Sequence, residues 1–589
     1  MSAKHFINDA TTLVSTALQS LTLTNPTVAL DAEHKIVYRR PTNGEKQVSI
    51  LSGGGSGHEP SFAGMVGPGM LSAAVAGSIF ASPSAEQVRV GITSRVDPDK
   101  GILVVVMNYT GDILNFGMAV EKAKAAGSSV EMVVVGDDVG VGRAKAGKVG
   151  RRGIAGTVLV LKIAGALAAQ GRSLAEVAKV ARLVSDNIVS VGASLEHVHV
   201  PGRSADSSDG LALGEVEIGM GIHNEPGSAR AKLDLPQLVD RMLTQLLDQS
   251  DKDRAFVNVN SNEVVLLINN LGGVSVLEMG GITAEVVSQL GSKHNIKPVR
   301  IISGTFMTSL NGLGFSITLL NVVNTDIGGP SMIELLDAPS EVQGWSAPIQ
   351  KTTWEAKNEA TRTGNTSVGQ EVKPSGLKMD PAVEKTAITT ALERVIAAEP
   401  EITRYDTVVG DGDCGIGLKR GAEAVLKHLS SKPLTGDVVV DVASIVPVIE
   451  NTMDGTSGAL YAIFFNALVL ALRTLSPGEA NAQTWATALQ QSCEALSKYT
   501  PARPGDRTLV DALYPFVDVL NTSGDLTKAA EAALKAAEET KGMQASLGRA
   551  VYVGGSGHEE VPDPGAWGLA VFFLGLAGLK PADDGWEKI

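Results

Sequence analysis

The spacing of apolar residues changes character once along this chain, and that change constrains the fold most. Up to about residue 340, short β-branched runs alternate with helical runs. Segments 47–51, 101–107 and 130–135 read as strands, with a helix expected near 113–126. Segments 264–269, 299–303 and 315–322 read as strands of a second α/β unit, with the break between the two subdomains expected near 190–205. Such alternation predicts mostly parallel sheets covered by helices, with ligands at the C-terminal ends of strands. From Glu341 to Met379 the pattern fails, and the polar, proline-bearing stretch 341–380 reads as a flexible linker. Asp380 and Pro381 then suit a helix N-cap and first turn. Ala- and Leu-rich stretches follow near 382–399, 417–429, 441–452, 458–475, 480–497, 508–521, 526–540 and 565–578. Residues 381–589 are therefore expected to form an all-α domain of about eight helices, with its chemistry on the loops. Aromatics are only 4% of the chain, so the cores must be built from Ala, Val, Leu and Ile.

One loop in the helical half crowds three carboxylates: Asp406, Asp411 and Asp413, spread among Gly410, Gly412 and Gly415. Like charges held that close repel, and a loop that gathers them usually has a cation to hold. The cluster has no His, and Cys414 is its only soft donor, so hard cations such as Mg²⁺, Mn²⁺ or Ca²⁺ fit better than Zn²⁺. Spacings of five and two, without a closing Glu, argue against an EF-hand. A solvated acidic turn is the plain alternative.

The net charge of −14 argues against nucleic acid as the main partner. Two cysteines make no disulfide framework, so a reducing, cytoplasmic setting is expected, with no signal peptide evident near Asp9. The apolar run 154–169 contains Lys162 and reads as a buried helix rather than a membrane span. The segment Gly142-Arg-Ala-Lys-Ala-Gly-Lys-Val149 nearly spells a Walker A loop, but Val149 replaces the hydroxyl that would hold Mg²⁺. A nucleotide site therefore belongs in the other half.

The three-aspartate loop is followed by Met453-Asp-Gly-Thr-Ser-Gly-Ala459, Pro504-Gly-Asp-Arg-Thr508 and Asp563-Pro-Gly-Ala566. Together these resemble the nucleotide-binding L domain of dihydroxyacetone kinases. In the first half, Gly53-Gly-Gly-Ser-Gly-His-Glu-Pro60, Asn108-Tyr-Thr-Gly-Asp112 and Gly219-Met-Gly-Ile-His-Asn-Glu-Pro-Gly227 resemble the substrate-binding K domain of the same family. The resemblance implies an α/β K domain over 1–340 and an L domain over 381–589 whose eight helices form a barrel around the nucleotide phosphates.

It further implies roles. His223 would add through its imidazole to the ketone of dihydroxyacetone, giving a hemiaminal. Gly55, Ser56, Gly57 and His58 would surround the substrate, and Asp112 with His58 would take the proton from the attacking hydroxyl. Cys414, Gly415, Ile416 and Gly417 would offer N–H groups to ATP, Thr456 and Ser457 hydroxyls, with Gly505, Arg549, Asp563, Pro564 and Gly565 bounding the nucleotide. Asp406, Asp411 and Asp413 would hold two Mg²⁺ ions. Glyceraldehyde phosphorylation, a homodimer through the first half, and no membrane or nucleic-acid partner complete the expectation. Rival readings are FMN cyclase activity on FAD with Mn²⁺, and a catalytically silent regulatory partner.

Plain alternatives stand beside these: a tight turn for 53–57, a turn histidine for His223, a helix N-cap for Asp112, and a helix-starting loop for 414–417. Three departures stand out: Met107 where the family commonly has Lys, Asp454 where relatives often have Gly, and one extra residue between Arg549 and Asp563. Gly554-Gly-Ser-Gly-His-Glu559 echoes residues 54–59 by chance.

Overall fold

A computed structural model describes residues 4–42, 46–204, 210–362, 372–547, 560–582 and 585–588. The chain divides into two compact units, Met1–Thr361 and Arg362–Ile589.

The first unit holds two six-stranded sheets. One contains β1 (Val28–Asp31), β2 (Ile36–Arg39), β3 (Ser49–Ser56), β4 (Ala73–Ile79), β5 (Ile102–Met107) and β6 (Val130–Val135), in the order β1-β2-β4-β3-β5-β6. Its β4-β3-β5-β6 portion is parallel, and β1-β2 add an antiparallel edge. The other contains β7 (Ile188–Ser194), β8 (Glu215–Ile218), β9 (Ala229–Lys232), β10 (Val264–Asn270), β11 (Arg300–Gly304) and β12 (Gly314–Asn321), in the order β11-β10-β12-β7-β8-β9. Only β10 and β11 pair in parallel there. The expectation of mostly parallel sheets therefore fails for this sheet. Strand pairing is a long-range choice that an apolar run does not encode. The change of sheet also comes before the expected break at 190–205, because β7 begins at Ile188 and pairs with β12.

One continuous core runs between the sheets. The helix Thr157–Ala169 lies in it, buried on every side but its last residue. Lys162 stays buried there by donating from Nζ to the carbonyls of Leu335 (2.9 Å) and Ala338 (2.8 Å), at the end of the helix Met332–Asp337. Burial pulls the Lys162 ammonium down to about 8, as desolvation of a charge must. The outer faces of the sheets are covered by the helices Thr110–Ala125 on one side and Leu235–Leu247 and Val276–His294 on the other.

The expected linker begins later than residue 341. Glu341 and Gly344 donate backbone hydrogen bonds to Pro68 and Gly64, Trp345 packs on the core, and 351–356 form a helix. Trp345 and Val342 anchor a stretch whose composition otherwise reads as unstructured.

The second unit has eight helices among its described residues: Pro381–Val409, Cys414–Ser431, Val438–Thr452, Gly455–Thr474, Ala482–Leu496, Val510–Ser523, Leu526–Glu539 and Pro564–Leu576. Each packs on the next, and the last packs on the first, which closes the ring. Inside lies an apolar cavity of about 440 Å³, lined by Leu418, Ile445, Phe464, Trp485, Phe516 and Phe573 among others. Gly455–Thr474 is long and apolar enough to cross a membrane by length and composition. Here it is one wall of the ring, between Val438–Thr452 and Ala482–Leu496. The first helix runs ten residues past its expected end at 399, through Pro400. Proline removes one hydrogen bond but does not end a helix whose other contacts hold it.

Close approach tests this packing. A Cβ on Gly165 would come within 2.5 Å of the Met70 backbone, whereas one on Gly117 would meet nothing within 4 Å. Gly165→Ala is expected to cost about 1–3 kcal/mol, and Gly117→Ala to stabilise by up to about 1 kcal/mol. Thermal unfolding of the first unit's transition measures both.

Candidate functional site

Loops from both sheets of the first unit meet at one site. β3 delivers the glycine segment and His58, β5 delivers Tyr109 and Asp112, β8 leads into His223, and Thr308 follows β11. The glycines answer to packing first. A Cβ on Gly55 would lie 2.7 Å from the Ala81 amide, and Gly57, at φ +103°, would press its own into the Phe80 ring. Ser56 donates its hydroxyl to the Gly77 carbonyl at 2.9 Å, and its own carbonyl accepts from the Phe80 amide at 2.9 Å.

His58 is fully buried and flanked by two partners. Its Nδ1 lies 2.8 Å from the Thr308 carbonyl and its Nε2 lies 2.9 Å from Nε2 of His223. A carbonyl only accepts, so His58 carries its proton on Nδ1. Burial, with the adjacent His223, pulls its acidity to about 3, so it is neutral and its Nε2 accepts. The proton between the rings therefore belongs to His223. The other nitrogen of His223, Nδ1, faces Oε1 of Glu225 at 3.2 Å. Phe80 and Tyr109 pack edge-on to the His223 ring, with centroids 5.1 and 4.7 Å away.

Asp112 is not the N-cap of its helix. Tyr109 holds that position, and Asp112 sits in the first turn, buried. Its Oδ1 is buried without a hydrogen-bond partner. Burial lifts its carboxyl to about 6, against the pull of a Ser82 hydrogen bond and the His223 charge. An ionisable oxygen stranded beside a glycine loop is what a proton acceptor awaiting substrate needs. Met107 ends β5 inside the core, where a Cβ on Gly153 would approach its own to 2.7 Å.

Motif reading singled out His58, Asp112 and His223, and the first two of these loops bracket the third. It gave no role to Glu225, Tyr109, Phe80 or Thr308. Glu225 and Tyr109 stand inside the quoted motifs, and their chemistry was a usable signal. Thr308 is 250 residues from His58 and carried none.

In the second unit, Asp406, Asp411 and Asp413 each present an oxygen within 4.8 Å of the others, Asp406 buried and the other two exposed. Asp406 lies in the last turn of Pro381–Val409 rather than in the loop. Burial raises its carboxyl, and the charges of Asp411 and Asp413 raise it further. All-oxygen donors with mutual repulsion fit a hard divalent cation. Cys414 does not compete: burial, with Asp406 beside it, pushes its thiol up to about 12. Its amide donates to Asp406 Oδ2 (2.9 Å) and that of Gly417 to the Asp413 carbonyl (2.9 Å). Of the four amides expected to face phosphate, Gly415 and Ile416 are the two not spent this way.

Thr456 and Ser457 begin the helix Gly455–Thr474, with Ser457 Oγ 3.9 Å from Cys414 Sγ. Asp454 pairs with Arg420 at 2.6 Å. Gly505, at φ +100°, donates to Asp511. Asp563 caps the helix Pro564–Leu576 through the Ala566 amide, and burial lifts it to about 7 against the nearby Arg507 charge. Gly565 follows Pro564 in that first turn. Arg549 and the 554–559 echo lie outside the described residues.

A histidine pair beside an unpartnered carboxylate in one unit, and a loop of three carboxylates whose chemistry fits a hard cation in the other, divide the candidate chemistry between two units. Family models agree: the Dak1 domain matches residues 19–344 and the DAK2 domain residues 408–578. The chain belongs to the dihydroxyacetone kinase family. It is 44% identical to the dihydroxyacetone kinase of Pichia angusta, over 98% of each chain. It is 36% identical to the triokinase/FMN cyclase of Homo sapiens, over 98% of this chain and 99% of the relative. The crystal structure of the C. freundii dihydroxyacetone kinase with AMP-PNP and Mg²⁺ matches at a TM-score of 0.63 and 32% identity, over 98% and 99% of the two chains.

Removing one carboxylate charge tests the metal loop. Asp411→Asn and Asp413→Asn are each expected to weaken Mn²⁺ binding by about an order of magnitude or more, read by titration calorimetry. Unchanged affinity would return the loop to a solvated turn.

Proposed function

We propose that the chain transfers the γ-phosphoryl group of ATP to dihydroxyacetone, held as a hemiaminal on His223, and that glyceraldehyde is a second acceptor. The observation that carries this is the buried His58–His223 contact beside an unpartnered Asp112 oxygen. Nε2 of His223 adds to the ketone carbon. Its proton passes through His58 to the carbonyl oxygen, so one N–H is lost and one O–H gained. His58, neutral and disfavouring charge, relays rather than retains that proton. Glycerol matches the substrate in size but has no carbonyl to trap. Asp112 accepts the proton of the terminal hydroxyl as that oxygen attacks the phosphoryl group.

Asp406, Asp411 and Asp413 would hold two Mg²⁺ ions, which neutralise charge on the transferring phosphoryl group. The Gly415 and Ile416 amides, with Thr456 and Ser457, orient the phosphates. Positioning and electrostatics carry most of such a transfer. Dihydroxyacetone phosphate and ADP are the products. We further infer a homodimer, carried over from the family, and a cytoplasmic setting, consistent with Cys414 and Cys493 both being free. FMN cyclase activity is a second reading, favoured by the human relative; incubation with FAD and Mn²⁺ followed by chromatography detects it.

A coupled assay with ATP, Mg²⁺ and dihydroxyacetone tests the activity directly. His223→Ala should lose the ketone adduct in native mass spectrometry without unfolding. An adduct that survives overturns the assignment. Asp112→Asn should slow turnover by roughly 10²–10⁴-fold. Because Asp112 must be ionised to accept a proton, and titrates near 6, wild-type turnover should fall as pH drops through that value.

A further inference from the structure

Behind His223 runs a chain of charges that the reaction above does not use. Oε2 of Glu225 accepts from the His223 amide at 2.9 Å, and Oε1 faces Nδ1 at 3.2 Å. One carboxylate thus grips both the backbone and the ring of a residue two positions away. Arg152 approaches Glu225 Oε2 at 3.9 Å. The guanidinium is itself fixed, bonding buried Asp138 at 2.7 Å and the Gly219 carbonyl, at the start of the same loop, at 2.8 Å. Gly221 leaves the slot these groups need: a Cβ there would collide with both Glu225 Oε2 and Arg152 Nη1. Phe80 and Tyr109 set the plane of the imidazole.

We propose that Glu225 is a positioning residue for His223, holding the proton on Nδ1 and so committing Nε2 to the carbonyl carbon, with Arg152 and Asp138 fixing the carboxylate. This rests on the reading of His223 as the nucleophile. Burial alone would raise the Glu225 carboxyl, but the hydrogen bond and charge of His223, with Arg152, bring it down to about 2. Facing it are the His223 ring and the Arg152 guanidinium, together with the buried Tyr109 hydroxyl; Asp137 and Asp138 stand behind Arg152.

The charge balance gives this pairing a chemical purpose. Nε2 first passes its proton to Nε2 of His58, which frees the lone pair that forms the Nε2–C bond; the carbonyl π pair moves to oxygen, which takes that proton from His58. Nδ1 keeps its own proton. The substituted ring in the adduct is an imidazolium, and its positive charge faces Glu225. The carboxylate thus holds the ring in the attacking orientation beforehand and serves as counter-ion to the adduct afterwards. Such a charge-assisted bond commonly contributes enough to shift binding by roughly 10- to 100-fold.

Full-length Glu225→Gln tests the assignment. Solid-state ¹⁵N NMR on ring-labelled histidine, with His223 identified by difference against His223→Ala, reads the Nδ1 environment. The expected result is a displaced Nδ1 resonance, a dissociation constant for dihydroxyacetone raised at least roughly tenfold, and an unchanged KM for ATP. Glu225→Asp should recover part of the loss, and it serves if the glutamine variant folds poorly. Adding Glu225→Gln to His223→Ala should cost no further binding, because the partner is already gone. An unmoved resonance, affinity within twofold of wild type, or an equal loss in both backgrounds would each overturn the proposal. Survival of the adduct in His223→Ala would instead sink the underlying reading of His223.

Discussion

The first unit depends on one helix that is buried along all but its last residue. Thr157–Ala169 is wedged between the two sheets, so the core on either side of it is one core. That forces strand ends from both sheets into a common register. His58 comes from one sheet and His223 from the other, and they meet at 2.9 Å. The cost of burying Lys162 in this wedge is offset by two carbonyls at the end of a short helix, which need a donor in any case. Packing, rather than local loop chemistry, brings the imidazoles together.

The two units use burial in opposite ways. In the first, exclusion of water keeps His58 neutral and lifts Asp112 toward neutrality, so small changes in environment move protons. In the second, Asp411 and Asp413 stay exposed and only Asp406 is withdrawn, which preserves charge for a cation. The protonated thiol of Cys414 keeps the donor set all-oxygen.

Local pattern made much of this legible. Strand Val130–Val135 and the start of Leu526–Glu539 fall where the apolar spacing puts them, and all eight helical stretches of the second half appear. What stayed hidden was relational. Antiparallel pairing of β12 with β7 and β10 joins distant segments with the same composition that parallel strands would have. The first helical stretch is expected to end near 399 because the contacts that carry the helix on through Pro400 to Val409 are not local. The amides of Cys414 and Gly417 looked available until their acceptors were in place. Thr308 could not be connected to His58 by any motif, nor could the close approach of Phe80 and Ala81 to Gly57 and Gly55.

The closed ring of the second unit has a bearing on when the protein can first work. Pro381–Val409 packs against both its sequence neighbour and Pro564–Leu576, emerging more than 150 residues later. During synthesis one flank of that first helix stays bare until Pro564–Leu576 has left the ribosome. Contacts that distant are slow to form, because the entropy of the intervening chain must be surrendered first. Asp406 sits in the last turn of this waiting helix. The three-carboxylate loop therefore gains its rigid frame only once Pro564–Leu576 has docked, well after the chain that carries His58 and His223 has been made.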